Sequence, residues 1–473
     1  MKHEMLNEAL NEISNRHLTE VLTSKRNRPY WICAVAAVLA IVIFAFSLAH
    51  PFAVSVKAIG IASQPRNTTY PQDADYSTRK ELLAAMVAWR EADASRKANL
   101  ATGLAGLSTF SVKGSAEFLS GNDSNQLWSP VNAYIGLAML AELTGSNTRQ
   151  QLLDLLGCND LTALRGQVSA IWETVYNADN KEIITLANSL WLQNGLQYKK
   201  ESVDAIAYHY YASSFQGDLG STDVNEAIGE WLNENTGRLL ETYADHISLP
   251  AETVFALYST LYFQSKWDSE FQAADSTVSS FHAPSGDREV TYMKKSTTMD
   301  YYRGSTYGAV SLNLKNGSQM WFILPDEGLT PEDVLKSGEY SDMLLSHQQW
   351  ENRKTAQVNL SVPKFDISGM QNLREGLEKL GVTDVFSPAN ADFSAITVNN
   401  KVQSSPIFAT AVNQAVRVQI DEEGVTAATY VEIPVCGDPM PPKETVDFIL
   451  DRPFLFVITK QEIPIMAGIV NEP

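Results

Sequence analysis

Residues 420–442 read IDEEGVTAATYVEIPVCGDPMPP, and few folds can accommodate both halves of that stretch. From Val425 to Ile433 the pattern has a period of two. Val425, Ala427, Thr429, Val431 and Ile433 fall on one side, with Thr426, Ala428, Tyr430 and Glu432 on the other. Such a segment suits a half-buried place in a sheet. Yet it follows Asp421, Glu422, Glu423 and Gly424 and runs into PVCGDPMPP, which a sheet interior would not accept. The fold must therefore offer an exposed position to a chain written as a strand.

The remaining sequence bounds what kind of protein does this. With 473 residues and 44% apolar content the chain can bury a large core. Lys and Arg number 36 against 55 for Asp and Glu, a net charge of -19 that argues against a nucleic-acid-binding surface. Cys33, Cys158 and Cys436 lie far apart without CxxC or Cys/His spacing, so no metal site, cofactor or disulfide framework is expected. Cys158 reads as a small buried thiol, whereas Cys436 falls inside the exposed segment.

Near the N-terminus, Trp31–Ala49 carries no charge and one Ser, preceded by Lys25, Arg26 and Arg28. At 1.5 Å per residue this run spans a hydrocarbon core of roughly 30 Å. The cations place residues 1–30 in the cytoplasm, 31–49 as a transmembrane signal anchor and the remainder outside the cell membrane. The competing reading is a signal peptide cleaved after Ala49, which would leave a secreted protein. A tail so placed suggests a bacterial source. Residues 50–100 read as a stalk or linker, helical over 77–100, where the helix either extends the stalk or packs on the domain beyond. From 101 to 473 helical and strand-like segments mix without a break or an internal repeat, which predicts one α+β domain.

Catalytic signatures are missing from the sequence: there is no G-x-S-x-G, P-loop, H-E-x-x-H or G-x-G-x-x-G. His209 reads as a packed or capping residue, and His246, His282 and His347 as solvated ones. Glu422–Glu423 reads as surface charge, and Trp267 and Trp321 as core. No enzyme is expected.

Several blocks occur in the order found in the serpins, the serine protease inhibitor family. LWSPVNAYIGLAMLAELTGSNTRQQLLDLLG (127–157), ANSLWLQNG, YYASSFQGDL and AIGEWLNENTGRLLE resemble its N-terminal half. FALYSTLYFQSKWDSEF (255–271), VPKFDISGMQNLREGLEKLGVTDVFSPANADFSAI (362–396) and FILDRPFLFVITKQEIPIMAGIVNEP (448–473) resemble the remainder. The resemblance implies a serpin fold with a large mixed β-sheet, further sheets, surrounding helices and an exposed reactive-centre loop. It also implies that the strand-like stretch is that loop, bait for a protease whose cut releases it to insert into the large sheet.

On that resemblance the hinge comprises Glu422, Glu423, Gly424, Val425, Thr426, Ala427, Ala428 and Thr429, with Gly424 as the permissive residue. Val425, Ala427, Thr429 and Val431 would point inward, while Tyr430 and Glu432 would face out harmlessly. Val425 and Tyr430 depart from the family's Ala-rich run, and bulk at Tyr430 would slow insertion. Counting from Gly424 places the residue before the scissile bond at Asp438, and counting back from Arg452-Pro453-Phe454 places it at Pro439. Because two of the bonds precede Pro, the scissile window is Val435, Cys436, Gly437, Asp438, Pro439 and Met440. It lacks Arg and Lys, so an elastase-like, subtilisin-like or papain-like target is expected rather than a trypsin-like one. A buried polar cluster beneath the sheet would map onto Asn132, Ser259 and Gln414, with Asn and Ser exchanged and Gln in place of His. The expected partners are a covalently trapped protease and, through 31–49, a membrane; the ectodomain is expected to be monomeric. The alternative is a non-inhibitory serpin acting as a binding or chaperone-like module.

Overall fold

The computed structural model describes residues 56–62, 78–121, 123–178, 182–398, 401–402, 405–410, 412–425 and 444–473. The chain divides into two compact units, 1–55 and 56–473. The first, with the expected anchor 31–49, lies outside the described residues, and none of the described helices is long and apolar enough to cross a membrane.

Two large sheets build the second unit. In the first, the strand order is β1 (Val56–Gly60), β5 (Ala212–Gly217), β4 (Glu182–Gln193), β6 (Phe255–Lys266), β16 (Gly424–Val425), β15 (Asn413–Ile420) and β12 (Phe365–Asn372), with β3 (Asn177–Ala178) beside β4. It is mixed: β4 runs parallel to β5 and antiparallel to β6. The second sheet runs β17 (Thr445–Ile449), β11 (Arg353–Pro363), β8 (Gly286–Arg303), β9 (Tyr307–Asn313), β10 (Ser318–Pro325), β18 (Phe454–Lys460), β19 (Ile463–Val470) and β2 (Gln126–Trp128), with β7 (Thr277–Ala283) on β8. A short pair, β13 (Lys401–Val402) and β14 (Ser405–Pro406), stands apart.

The helix Pro130–Leu143 shows why the core lies at the centre. Ser129 caps it and Pro130 occupies its first turn, where a missing N–H costs nothing. Every residue except Gly136 is buried, as expected of a helix that is apolar all round and enclosed by other elements. A longer helix, Arg79–Phe118, starts with a reciprocal capping box between Thr78 and Glu81. It continues unbroken past residue 100 and buries Leu107, Phe110 and Phe118 in the core. The helix read over 77–100 is therefore the exposed start of a domain helix, which begins ahead of residue 101, where the domain was expected to start.

A second departure lies further upstream. Val56–Gly60, expected within a stalk, pairs antiparallel with β5 at the sheet edge. Val56 packs on the cluster that holds Trp191 and Ile228, and Ile59 packs on the main core. Too few apolar residues surround this segment for periodicity to announce it; the pairing comes from the edge that β5 offers.

Candidate functional site: the seam between β6 and β15

Among the described residues, β6 and β15 never pair with each other, and β16 joins them at one end only. Val425 pairs with Ile420 on one side and Ser265 on the other, antiparallel to both, and is 2% exposed. The alternation read from the sequence therefore starts in the expected phase, with Val425 inward. Thr426, Ala427, Ala428 and Thr429 of the hinge, and the window Val435, Cys436, Gly437, Asp438, Pro439 and Met440, lie outside the described residues.

The described part of the hinge is fastened by its own chain. Asp421 Oδ1 accepts the N–H groups of Glu423 at 2.9 Å and Gly424 at 3.1 Å, a local turn that Asp favours. Trp267, 1% exposed, donates its Nε1–H to the Asp421 carbonyl at 2.8 Å. The backbone N–H groups of Trp267 and Phe271 donate to Glu423 O and Glu422 O, each at 3.0 Å. Gly424 is needed here for space: its φ lies outside the left-handed region, and a Cβ would stand 2.7 Å from Lys266 Cα. The expectation that it serves as a permissive turn residue is thus corrected, in this state, to one of close backbone approach.

Charge closes the same end. Lys364 Nζ lies 2.6 Å from Glu422 Oε1, which also accepts from Ser276 Oγ at 2.8 Å. Burial pushes the Glu422 carboxyl up, but the hydrogen bonds from Lys364 and Ser276 outweigh it and hold the pKa below the ordinary value. Glu422 is therefore a paired, largely buried acid and not free surface charge. Glu423 is 3.9 Å from Lys266.

Further along the seam stands the expected polar cluster. Ser259 on β6 donates its hydroxyl to Asn132 Oδ1, and Asn132 Nδ2 donates to Ser259 O at 3.0 Å. Gln414 on β15 does not meet either of them. It pairs reciprocally with the backbone of Ser129, accepting its N–H at 2.8 Å and donating to its carbonyl at 3.0 Å. Ser129 completes the cluster, since its Oγ accepts the Asn132 N–H at 3.3 Å and donates to Ile465 O at 2.7 Å. Ser129 was not among the residues expected in this cluster, although its place before Pro130 marks it as a helix cap. Both strands that border the seam are thus held by the first turn of one helix.

The outer face of the seam is covered. Arg417 Nη1 donates to Leu239 O at 3.2 Å while its other nitrogens clamp Asp366, and Tyr243 OH reaches Ser368 Oγ at 3.4 Å. The connection after the helix Thr222–Asn235 therefore crosses from β6 toward β15 and β12. Tyr430, expected to face out harmlessly, lies outside the described residues. His347 is buried rather than solvated, with its ring centroid 5.3 Å from that of Trp321.

In this sheet two strands that do not pair with each other border a seam, with Gly424 and Val425 of a further strand between them at one end. A family model described as "Serpin (serine protease inhibitor)" matches residues 105–473, and the chain belongs to the serpin family. It is 28% identical over 366 residues to alpha-1-antitrypsin 1-4 of Mus musculus, covering 74% of this chain and 84% of that one. Alpha-1-antiproteinase of Callosciurus caniceps is 27% identical over 365 residues, with 74% and 84% covered. Among solved structures, the thermophilic serpin tengpin in its native state shares the fold at TM-score 0.68 and 24% identity, over 78% of this chain and 93% of that one. Thyroxine-binding globulin in complex with thyroxine does so at TM-score 0.65 and 19% identity, over 77% and 99%. The family model is described as one of protease inhibitors rather than catalysts, and the fold is the α+β serpin fold expected from the sequence blocks.

Proposed function

We propose that this chain is an inhibitory serpin that traps a protease through the 422–442 loop. The observation that carries the reading is β16: the seam already holds Gly424 and Val425, antiparallel to both neighbours. Continued in that register, Ala427 would arrive beside Phe263 and Val418, Thr429 beside Leu261 and Val416, and Val431 beside Ser259 and Gln414. No inward position of this run carries a charge or a Pro. The protease's own nucleophile would attack a carbonyl between Val435 and Met440, releasing the amine of the following residue and leaving an acyl bond. Insertion would then carry the acyl-enzyme away before water completes hydrolysis. Targets with elastase-like, subtilisin-like or papain-like preference suit the window.

The same proposal places the domain outside the cell, anchored in the membrane by 31–49 and of bacterial origin. An alkaline carbonate wash of membranes from expressing cells tests the anchor, and release of the whole chain into the soluble fraction refutes it. The second reading, a non-inhibitory binding module, is favoured by the bulk of Tyr430 and Val425 in a run that the family's inhibitory members fill with Ala. Mixing the full-length chain with proteases of each class separates the two. A denaturant-resistant band at the summed mass supports inhibition; clean cleavage between 434 and 441, with no such band and no thermal stabilisation, supports the binding module.

A further inference from the structure

The chain that leaves the seam after Val425 re-enters the described residues at Glu444, immediately before β17, the edge strand of the second sheet. The window Val435–Met440 lies four to nine residues ahead of Glu444. At roughly 3.5 Å per extended residue, no bond in it can stand farther than about 32 Å from that point. A protease domain of about 220 residues has a radius of gyration of about 17 Å. An enzyme engaged on the window is therefore close enough to touch the end of the second sheet where β17 begins, and what that end presents becomes part of the encounter.

There β8, β11 and β17 lie side by side, and the period of two turns one set of side chains outward. Thr298, Gln357 and Thr445 share one row, and Ser296, Asn359 and Asp447 share the next. Their polar groups form a hydrogen-bonded ladder that runs one way. Thr298 donates its hydroxyl to Gln357 Oε1 at 3.2 Å, and Gln357 Nε2 donates to Ser296 Oγ at 2.8 Å. Ser296 Oγ donates to Asn359 Oδ1 and Asn359 Nδ2 to Asp447 Oδ1, each at 2.7 Å. The ladder thus ends on an exposed carboxylate. Neighbouring acids have cations of their own: Lys354 pairs with Glu444, and Arg353 Nε lies 3.9 Å from Asp300 Oδ2. Asp447 has none within pairing distance among the described residues, and its Oδ2 accepts from none of them. Lys294 of the next row is two strand spacings across the sheet, roughly 10 Å, too far to pair with it.

We infer that the outward face of β8, β11 and β17 is a second docking surface for the target protease, where Asp447 receives an Arg or Lys from the protease's rim. The inference deepens the inhibitor reading and rests on its premise that a protease engages the window. A lone surface acid is ordinarily just solvated. Asp447 differs in being oriented by the ladder on one oxygen, left free on the other, and set beside the end of the bait. A carboxylate held in this way is an acceptor arranged in advance for a guanidinium or ammonium group. Charges at the rim of an interface act mainly on the rate of encounter. The contribution of Asp447 therefore falls on the speed of capture and not on the insertion that follows.

The test uses the full-length chain in detergent and a strongly cationic elastase-like serine protease at low salt, with the second-order rate of cutting between 434 and 441 read by mass. Asp447→Lys is expected to slow cutting about tenfold, and Asp447→Asn, which keeps an acceptor for Asn359, about threefold. Asp204→Lys, at an exposed position of the helix Lys200–His209, makes the same change in net charge as Asp447→Lys and is expected to slow cutting less than about twofold. The gaps should shrink in about 0.5 M salt. Melting temperatures should match the wild type, because Asp447 is exposed. Asp447→Lys cut at the wild-type rate, or slowed no more than Asp204→Lys, overturns the inference. Rates that separate as expected while no denaturant-resistant band forms refute trapping and leave the docking surface standing. A wild-type chain that is never cut between 434 and 441 overturns both.

Discussion

At the hinge end of the seam the ties are charged and partly wetted, with Lys364 on Glu422 and Lys266 beside Glu423. Six residues back along β6, at Ser259, they are neutral and buried, and consist of amide, hydroxyl and backbone groups around Ser129, Asn132 and Gln414. The contrast follows from position. The hinge lies where the loop leaves the sheet, and there the hydrogen bonds from Lys364 and Ser276 outweigh the cost of burying the Glu422 carboxylate. The middle of the sheet is covered on one face by the helix Pro130–Leu143, where an ion would be costly and a matched set of neutral donors and acceptors is not. Acid and salt should therefore loosen the hinge while leaving the middle closed.

The largest effect is expected from Trp267→Ala, which joins both kinds of tie by removing a buried ring and the donor to the Asp421 carbonyl. A loss of about 3–5 kcal/mol is expected in urea unfolding. A loss below about 1 kcal/mol would mean that the hinge is held mainly by its ion pairs. Gln414→Leu should come next. It strands the buried Ser129 N–H and is expected to cost about 1–3 kcal/mol, equally at low and high salt.

Glu422→Gln should cost less, about 1 kcal/mol, because Lys364 is partly exposed and solvent screens the pair. Its pH dependence separates the two regions. Since the folded Glu422 titrates below its ordinary value, its contribution is complete above the ordinary carboxylate range and is lost as the pH falls through the folded value. The gap in urea midpoint between wild type and Glu422→Gln should therefore close in acid, whereas the gap for Gln414→Leu should persist. Lys200→Ala, which breaks the exposed pair with Asp204, should leave the midpoint unchanged within error and serves as the baseline.

Much of this was legible in the residues. The Ser-Pro start of the central helix and the order of the sequence blocks indicated the core helix and the fold. Asn132, Ser259 and Gln414 were recognisable as a polar set, but not as two separate pairs meeting at Ser129, because side-chain direction depends on how two strands settle on one helix turn. Nothing around Lys364 or Ser276 marked either as a partner of Glu422, since each lies far from it along the chain and neither belongs to a local pattern. The strand Val56–Gly60 was hidden for the opposite reason: it is short, and its partner edge is formed by residues more than a hundred positions later.

The sequence by itself determined the two-residue alternation after Gly424, because the spacing of side chains along a strand is a local property. Only the tertiary structure decided what holds the seam shut. The ties join residues 129 to 414, 132 to 259 and 364 to 422. Such pairs acquire energetic meaning only once two sheets and a helix have excluded water from between them.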